Sequence, residues 1–297
     1  MSVLIGGGSG FIGRHLGLLL LENGFKVTVV SRESGPNKIT WTDLKQNGLP
    51  DDCTAVVSLA GENILNPRKR WNESFKEIVR SSRIDTTKTL AAAIVNSSKP
   101  PKVFVSMSGV AYYKPSTTEE YDEDSPGGNY DFLSRLTVDW EKAAKLPASS
   151  NVRQVTIRSG VVLGRDGGMI QQIYLPFFLG LGGRIGSGSQ WFPWIHVADI
   201  GGIFTHAIIN DNISGILNGV APQAATNLEF TKSLGSEMWR PTIFPIPGFV
   251  INYLLGEERG KVILEGQKVI PKRTLESGYK FVFPDLISAC QNCAHMF

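Results

Sequence analysis

The first 32 residues of the chain constrain its fold more than any other segment. A short apolar run at 3–5 leads into a glycine-rich segment at 6–13, which reads GGGSGFIG. Apolar residues then recur at helical spacing as far as Asn23-Gly24, and a second apolar run covers 27–30. A strand, a glycine turn, a helix and a strand in about 30 residues are typical of a dinucleotide-binding unit.

The glycines of this segment have separate physical roles. Gly7 or Gly8 permits the tight turn after the strand. Gly10 leaves no side chain where backbone N–H groups approach a pyrophosphate, and Gly13 lets the helix and the strand pack closely. The helix N-terminus adds unpaired donors and a partial positive charge. A glycine-rich turn without a ligand is the alternative. The predicted cofactor-binding residues of the turn are Gly7, Gly10, Phe11, Ile12 and Gly13.

The residues that end the second strand indicate which dinucleotide is bound. NAD sites usually place Asp or Glu there, which accepts a hydrogen bond from the ribose 2′-hydroxyl and repels a 2′-phosphate. This chain has Ser31 and Arg32, and a guanidinium beside a hydroxyl suits a phosphate by charge and by paired donors. NADP(H) is therefore the predicted cofactor. In the alternative, Arg32 is a solvated loop residue and Glu33 binds the ribose.

Motifs along nearly the whole chain resemble those of one protein family. The first turn is similar to that of the extended short-chain dehydrogenase/reductases of the sugar-nucleotide epimerase branch, which reads small-Gly-x-x-Gly-Phe-Ile-Gly. Further segments resemble an atypical, epimerase-like family, some of whose bacterial members are labelled cell-division inhibitors. These segments are VSMSGVAYY at 105–113, RSGVVLG at 158–164 and QWFPWIH at 190–196. The resemblance implies an NADP-dependent oxidoreductase-like protein and names no substrate.

Further residues complete the predicted cofactor site. After a polar stretch, an apolar run at 55–61 is interpreted as a buried parallel strand, and ligands of such sheets bind beyond the carboxyl ends of the strands. This interpretation places four residues beside the adenosine and pyrophosphate: Ser58, Leu59, Ala60 and Gly61. In the alternative, the Ala-Gly pair only ends the strand. The resemblance adds residues of a helix predicted over 71–95, and one residue after the strand at 155–158: Glu77, Ser82, Arg83 and Gly160.

The resemblance places the reaction after the strand predicted over 103–106. Ser108 matches the hydroxyl that hydrogen-bonds a substrate oxygen during hydride transfer. Active members also carry Tyr-x-x-x-Lys on the next helix, where the phenol exchanges a proton with the substrate and the ammonium lowers the pKa of the phenol. Lysine follows none of the seven tyrosines at that spacing, and Leu136 or Thr137 stands near the lysine position. The usual acid/base is absent, and the candidate substitutes are Ser108, Tyr112, Tyr113 and Asp131.

The segment 190–196 is predicted to form a wall of the substrate cleft. Trp191 and Trp194 would stack on an apolar or planar ligand, with Gln190 as a polar handle. Interdomain packing is the alternative for this segment. An apolar helix is predicted over 169–181 under the cavity. His196 and Asp199 match a stretch of the superfamily that is mainly architectural.

These motifs predict an α/β fold, a doubly wound parallel Rossmann sheet with a smaller, partly interleaved C-terminal domain. The Rossmann domain is predicted to cover 1–220 and the small cap domain 221–297. Short helices of the cap are predicted over 249–255, 261–269 and 285–290.

Composition and charge limit the class of protein and its partners. Apolar residues make up 42% and charged residues 19% of the 297 residues, which is typical of a soluble globular protein. A net charge of +3 without a basic stripe argues against nucleic acid, and no apolar run is long enough to cross a bilayer. The first strand leaves no room for a signal peptide, so an intracellular, cytoplasmic location is predicted. An organelle presequence on a longer precursor and a homodimer are both left open.

The cysteines do not predict a metal site. Three cysteines suit a reducing compartment, and the Cys290-x-x-Cys293 pair has no second pair to complete a zinc site. His295 is a further candidate ligand beside that pair. No metal is therefore predicted.

The predicted function is that of an NADP(H)-dependent oxidoreductase of the short-chain dehydrogenase/epimerase type, acting on an unknown small molecule. The missing Tyr-x-x-x-Lys pair favours an alternative, a catalytically silent NADP(H)-binding sensor or scaffold. Sugar-nucleotide epimerization is a third hypothesis, against which stand the missing tyrosine and the use of tightly held NAD by such enzymes.

Overall fold

The apolar runs of the sequence form the strands of a parallel sheet. The computed structural model describes residues 1–66 and 68–294. Its strands are β1 (Ser2–Gly6), β2 (Lys26–Ser31), β3 (Lys38–Thr40), β4 (Cys53–Ser58), β5 (Val103–Gly109), β6 (Glu120–Tyr121), β7 (Arg153–Ser159), β8 (Val161–Leu163), β9 (Trp194–His196), β10 (Gly215–Gly219) and β11 (Lys268–Val269). Seven strands form one parallel sheet in the order β10-β7-β5-β4-β1-β2-β3. This is the doubly wound Rossmann order, whose switch point lies between β1 and β4.

Helices cover both faces of this sheet. They are α1 (Phe11–Glu22), α2 (Trp41–Asn47), α3 (Glu73–Val95), α4 (Phe132–Ala144), α5 (Gly168–Phe178), α6 (Val197–Ile209), α7 (Asn227–Glu237), α8 (Gly248–Leu255), α9 (Glu257–Leu264), α10 (Lys272–Glu276) and α11 (Leu286–Ala294). Because successive strand residues face opposite sides, Val3 and Ile5 pack under α1 and α6, whereas Leu4 packs under α2 and α3. The predicted doubly wound α/β fold is therefore confirmed.

A smaller unit is built from segments that are far apart in the chain. The parallel pair β8-β9 lies with α5, α7 and α11 around an apolar core of its own. Buried members of this core, called the cap core below, include Leu163, Ile170, Phe177, Trp194, Phe230, Leu234, Leu286 and Cys290. A second parallel pair, β6-β11, joins Tyr121 to Val269. The C-terminal part is therefore interleaved with the chain that precedes residue 220.

Two segments differ from the sequence predictions. The polar stretch after Arg32 contains β3 and α2, because a capping box begins α2 at Thr40. The Thr40 hydroxyl accepts from the Asp43 N–H at 3.0 Å, and the Asp43 carboxylate accepts from the Thr40 N–H at 2.8 Å. The helix predicted over 261–269 ends at Leu264 instead. At Gly266 the chain passes so close to the Trp191 carbonyl that a side chain would overlap it.

Several absences hold for the described residues. Residues 1–66 and 68–294 contain no helix that is both long enough and apolar enough to cross a membrane. The same ranges contain no group of three or more His, Cys, Asp or Glu side chains that is arranged so that it could hold a metal ion. Cys290 and Cys293 are free and buried, and burial raises the pKa of both thiols. His295 lies outside the described residues.

Candidate functional site

The glycine turn after β1 requires glycine for steric reasons. Gly7 has a positive φ of 82°, and a Cβ there would lie 2.6 Å from the Ala60 nitrogen. A Cβ on Gly13 would lie 2.6 Å from the Gly7 oxygen. At Gly10 a Cβ would meet only that same oxygen, at 3.3 Å. Backbone atoms therefore pack tightly against Gly7 and Gly13, while the space beside Gly10 is free. A pyrophosphate that binds to the backbone N–H groups of the turn requires this arrangement.

Helix α1 starts in this turn with unpaired N–H groups. Its N-cap, Gly10, makes no side-chain hydrogen bond, and the first turn contains no acidic residue. The N–H groups of Phe11 and Ile12 have no partner within the part of the chain that the structure describes. The Phe11 ring packs on Gly164, where a Cβ would lie 2.7 Å from it, so the side chain is anchored away from the turn. The N-terminus of α1 thus offers donors and partial positive charge to an anion.

We expect Gly13→Ala to destabilise the protein and to weaken NADPH binding, because the methyl group would collide with backbone atoms of the turn. Such overpacking costs about 1–3 kcal/mol. Gly17→Ala is the matched control in α1, since a Cβ there would meet only Val27, at 4.0 Å. The control should gain about 0.5–1 kcal/mol from helix propensity. Urea unfolding and calorimetric titration measure the two effects, and equal stability of the two variants would contradict the steric role of Gly13.

The end of β2 carries the residues predicted to bind a 2′-phosphate. The Ser31 hydroxyl donates to the Glu33 carbonyl and accepts from the Glu33 N–H at 3.3 Å, which fixes the local backbone. The Arg32 side chain is exposed and forms no ion pair or hydrogen bond with any described residue. Arg32 is therefore free to meet a phosphate. Glu33, the alternative ribose ligand, is also exposed.

Residues after β4 border the other side of the glycine turn. The buried Ser58 hydroxyl shares a hydrogen bond with the Thr87 hydroxyl at 2.9 Å, so it faces α3. The Leu59 N–H donates to the Gly6 carbonyl at 2.8 Å. Ala60 lies directly behind the turn. Ser58 thus fixes α3 to the sheet, while Leu59 and Ala60 bound the predicted pyrophosphate site.

Arg83 of α3 is a half-buried cation that forms no direct ion pair with a described residue, although the Glu62 carboxylate lies near enough to favour its charged form. Its Nη1 donates to the Val79 carbonyl at 3.1 Å, and its Cζ lies 5.3 Å from the Trp140 ring centre. Burial lowers its pKa to about 10, so the group stays charged at neutral pH. Among the described residues no carboxylate forms an ion pair with it. A Cβ on Gly61 would lie 3.1 Å from the Arg83 Cζ, so this cation contacts the loop that bounds the cofactor site.

Of the other residues taken from the family resemblance, Ser82 and Gly160 contact the backbone of neighbouring segments, and Glu77 makes no polar contact. The Ser82 hydroxyl accepts from the Glu62 N–H at 2.9 Å and so holds the loop after β4 against α3. A Cβ on Gly160 would lie 2.5 Å from the Pro193 oxygen, so this position requires a close approach of two chain segments. Glu77 is exposed, with no hydrogen bond or ion pair to the described residues. Nothing in the structure gives Glu77 a role in the site.

Ser108 is the distinctive polar group at the carboxyl end of β5. The residue is 2% exposed, and its hydroxyl has no hydrogen-bond partner. Buried hydroxyls are normally paired, because an unmade hydrogen bond costs about 1–3 kcal/mol. A buried hydroxyl left free at the carboxyl edge of a parallel sheet is placed to bond a ligand.

Helix α4 shows what replaces the missing Tyr-x-x-x-Lys pair. Leu133 lines the apolar cavity described below, and Thr137 lies beside Gly109, whose Cβ position is 3.5 Å from the Thr137 methyl group. The two residues are four apart, so they share one face of the helix. Leu136, the alternative for the lysine position, packs in a core cluster with Phe75 instead. A leucine and a threonine therefore stand where the phenol and the ammonium are expected.

The two tyrosines after Ser108 face a buried polar cluster. The Tyr113 hydroxyl donates to Asn218 Oδ1 at 2.8 Å and accepts from Arg158 Nη1 at 3.0 Å. The Arg158 Cζ lies 3.4 Å from the centre of the Tyr112 ring, and its guanidinium pairs with Glu141 at 2.8 Å. Burial raises the pKa of Tyr113. Neither ring lines the cavity, and Ser108 does not line it either. The difference is that the Tyr113 hydroxyl is already hydrogen-bonded to Asn218 and Arg158, whereas the Ser108 hydroxyl has no partner.

An apolar cavity with a volume of about 310 Å³ opens beside the end of β5. Residues from the turn after β5, from β8 and from the loop before β9 line one end of it: Val110, Ala111, Val161 and Pro193. Its sides come from α5, α7 and α9, including Ile173, Phe230 and Ile263. Phe230 was not predicted as a site residue, although the capping box of Thr226 and Glu229 signals the helix that carries it.

The three predicted substrate residues have different positions. Trp191 and Gln190 line the cavity. The Gln190 Nε2 donates to the carbonyls of Ile185 at 3.0 Å and Ile263 at 3.2 Å, so the amide ties the wall together. Trp194 is 1% exposed and belongs to the cap core. Trp191 therefore lies in the cavity wall, whereas Trp194 packs in the core, as the alternative interpretation of this segment proposes.

His196 and Asp199 hold the chain together. The His196 Nδ1 accepts from the Ala198 N–H at 3.2 Å, and its Nε2 lies 3.2 Å from Asn292 Oδ1. The buried Asp199 carboxylate accepts from the Val282 N–H at 2.7 Å, and burial raises its pKa. Both side chains thus pin C-terminal segments to the start of α6, which fits the architectural role that the resemblance implies.

We expect His196 to make the fold less stable in acid. Burial lowers its pKa from 6.5 to about 4, so between these values the unfolded chain binds a proton that the folded protein does not. Its contribution is complete above pH 6.5 and is lost as the pH falls, by about 2 kcal/mol between pH 7 and pH 5. Urea unfolding at both pH values, compared with His196→Gln, isolates this loss. An equal loss in the variant would contradict it.

The sequence matches one large family over most of its length. The sequence model of the NAD dependent epimerase/dehydratase family matches residues 3–218, and that of a domain of unknown function matches residues 246–293. Epimerase family protein SDR39U1 of Bos taurus is 56% identical over 290 residues, which are 97% of this chain and 98% of the relative. A chloroplastic homolog of that protein from Arabidopsis thaliana is 38% identical over 297 residues, covering 95% of this chain and 84% of the relative.

Solved structures extend the match to the three-dimensional fold. The crystal structure of human epimerase family protein SDR39U1 with NADPH has a TM-score of 0.97 and 54% identity, and the match covers 99% of each chain. A nucleoside-diphosphate sugar epimerase from Corynebacterium glutamicum has a TM-score of 0.78 and 29% identity, covering 99% of this chain and 58% of that chain. The NADPH-bound relative thus shares the fold over nearly the whole chain.

Proposed function

The chain belongs to the NAD dependent epimerase/dehydratase family, and we propose that this member is an NADP(H)-dependent oxidoreductase acting on a small molecule. The observation that carries the proposal is the buried, unpaired hydroxyl of Ser108. It lies at the carboxyl edge of the sheet, two residues before Val110 in the cavity wall. Ser108 itself is not among the residues that line the cavity, and the proposal is that a substrate carbonyl bound there reaches this free donor, as hydride transfer to a carbonyl needs.

The cofactor part of the proposal is supported by charge and by relatives. The open turn at Gly10 and the N-terminus of α1 suit a pyrophosphate. Arg32 is free to bind the 2′-phosphate that distinguishes NADP(H) from NAD(H), and Arg83 supplies a second cation that forms no direct ion pair with a described residue. The human relative of known structure has NADPH bound.

The chain's own residues have distinct tasks in the proposed reaction. NADPH, when bound, supplies the hydride. The Ser108 hydroxyl donates a hydrogen bond to the substrate oxygen and so stabilises the negative charge that develops there. The apolar walls around Phe230 and Ile173 exclude water from this hydrogen bond, which strengthens it.

A silent NADP(H)-binding sensor or scaffold is the second candidate, and α4 favours it. Leu133 and Thr137 cannot exchange a proton with a substrate or lower the pKa of a phenol. A protein that binds the cofactor without turning it over would need neither function.

Calorimetric titration of the cofactor-stripped protein with NADPH, NADP⁺, NADH and NAD⁺ tests the proposal. We expect binding of the phosphorylated pair to be much tighter than that of NADH and NAD⁺. NADPH oxidation is then followed at 340 nm with a panel of carbonyl compounds. Tight binding without oxidation of NADPH by any compound would favour the sensor, and no binding by a folded protein would overturn both candidates.

A further inference from the structure

We propose that the substrate is a compact, uncharged, apolar aldehyde or ketone, whose carbonyl reaches Ser108 while its body fills the adjoining cavity. This inference rests on the proposed function, since it names the substrate class of the same site. The volume of about 310 Å³ lies at the lower end of the usual range for ligand pockets, about 300–1,000 Å³.

The interior of the cavity is walled by apolar side chains from four parts of the chain. Helix α5 supplies three of them, α7 supplies Phe230 and α9 supplies Ile263, while the loop before β9 supplies Phe192. The apolar wall includes Met169, Ile173, Phe177, Phe192, Phe230 and Ile263. Burying an apolar ligand there gains about 25 cal/mol for each Å² of surface removed from water.

The charged residues that line the cavity do not form a phosphate site. Lys261 and Glu265 are exposed and lie at the rim. The Asp131 carboxylate caps α4 by accepting from the Ser134 N–H at 2.7 Å. A nucleotide diphosphate would bring two negative charges into the cavity, where the one cation among these lining residues is the exposed Lys261. Burying unpaired charge is costly. The cavity therefore does not suit a sugar nucleotide.

The amide side chains of the wall are occupied by the protein itself. Gln190 binds two backbone carbonyls, as described above. The Asn227 Oδ1 accepts from the Ile185 N–H at 2.8 Å, and the Gln267 Nε2 donates to the Tyr113 carbonyl at 3.1 Å. A sugar ring would leave several hydroxyls unpaired against such a wall, whereas a single carbonyl has the Ser108 hydroxyl as its partner.

The mouth of the cavity is apolar as well. Leu181 and Val262 line the cavity and are 58% and 37% exposed, respectively. A ligand that enters between them is transferred from water to apolar surface before it reaches Ser108.

The reaction is a two-electron reduction. The carbonyl carbon gains a hydride from NADPH, and its oxygen gains a proton from a solvent water molecule, which leaves as hydroxide. The aldehyde or ketone becomes an alcohol as NADPH is oxidised to NADP⁺.

Binding to the NADP⁺-loaded protein tests the substrate class without turnover. The probes are 2-nonanone, cyclohexanone and cinnamaldehyde, with UDP-glucose as the polar contrast, all measured by calorimetry. We expect saturable binding of at least one apolar carbonyl and none of UDP-glucose. Ile173→Trp, which fills the cavity, should weaken that binding by about 10-fold or more. Leu175→Trp is the matched control on α5, because Leu175 is 62% exposed, and it should bind like the native protein.

The outcomes separate this inference from the proposed function. Met169→Phe is a milder filling variant in case Ile173→Trp does not fold, and thermal unfolding reports folding in each case. Binding of UDP-glucose, binding of no apolar carbonyl, or equal binding by Ile173→Trp and Leu175→Trp would overturn the substrate class while NADPH binding stays intact. Loss of NADPH binding itself would instead overturn the proposed function, and the probes are then titrated into cofactor-free protein.

Discussion

Arg32→Ala is expected to weaken NADPH binding by about 10- to 100-fold, because charge-assisted hydrogen bonds from a guanidinium to a phosphate are among the strongest single contacts. NADH lacks the 2′-phosphate, so its affinity should change by less than about twofold. The Arg32 side chain forms no hydrogen bond or ion pair with a described residue, so the free energy of unfolding should be unchanged by the substitution. Calorimetric titration of both dinucleotides measures the ratio directly.

Lys99→Ala is the matched control for Arg32→Ala. Lys99 is an exposed cation just before β5, at the opposite edge of the sheet from the cofactor site. Removing it subtracts the same charge without removing a phosphate ligand. Equal losses for NADPH and NADH in Arg32→Ala, or an equal loss of NADPH affinity in both variants, would remove the 2′-phosphate assignment and favour Glu33 as the ribose ligand.

Ser108→Ala is expected to lower turnover by about 100-fold, since removing one donor that stabilises a developing oxyanion costs about that much. NADPH affinity should stay within about twofold. Stability should be unchanged or higher, because the substitution removes a buried polar atom that has no partner. The measurements are NADPH oxidation with the best compound of the carbonyl panel, and urea unfolding.

Ser106→Ala separates the chemistry of Ser108 from its packing. Ser106 lies two residues earlier on β5, is equally buried at 2% exposure, and its hydroxyl bonds the Thr156 hydroxyl at 3.1 Å. Its loss should cost about 1 kcal/mol of stability and leave turnover within about twofold. Full turnover in Ser108→Ala, or the same loss of turnover in both variants, would contradict the assigned role.

The parts of the site that could be predicted from sequence are those set by local geometry. Gly7 needs a positive φ and Gly13 a close approach, and both requirements are visible in one strand, turn and helix. The sheet order also follows from short-range rules, because apolar runs separated by helical segments form parallel strands.

The rest depends on contacts between distant residues. Whether Tyr113 is a proton donor or a core residue is decided by Asn218 and Arg158, which lie far along the chain. The position of Thr137 beside Gly109 depends on how α4 packs on β5. Gln190 resembles a polar handle in the sequence, yet two backbone carbonyls already occupy its amide. No pattern within a single segment carries this information.

The two family models leave a gap in the matched sequence between residues 218 and 246. The cap core nevertheless contains residues from both sides of that gap. Ile170 and Trp194 precede it, Phe230 lies within it, and Leu286 follows it. Removal of either part of the chain would therefore expose to solvent the cap-core residues of the other part. Because the two parts share this core, we expect them to unfold as one cooperative unit, although the matched sequence families divide between them.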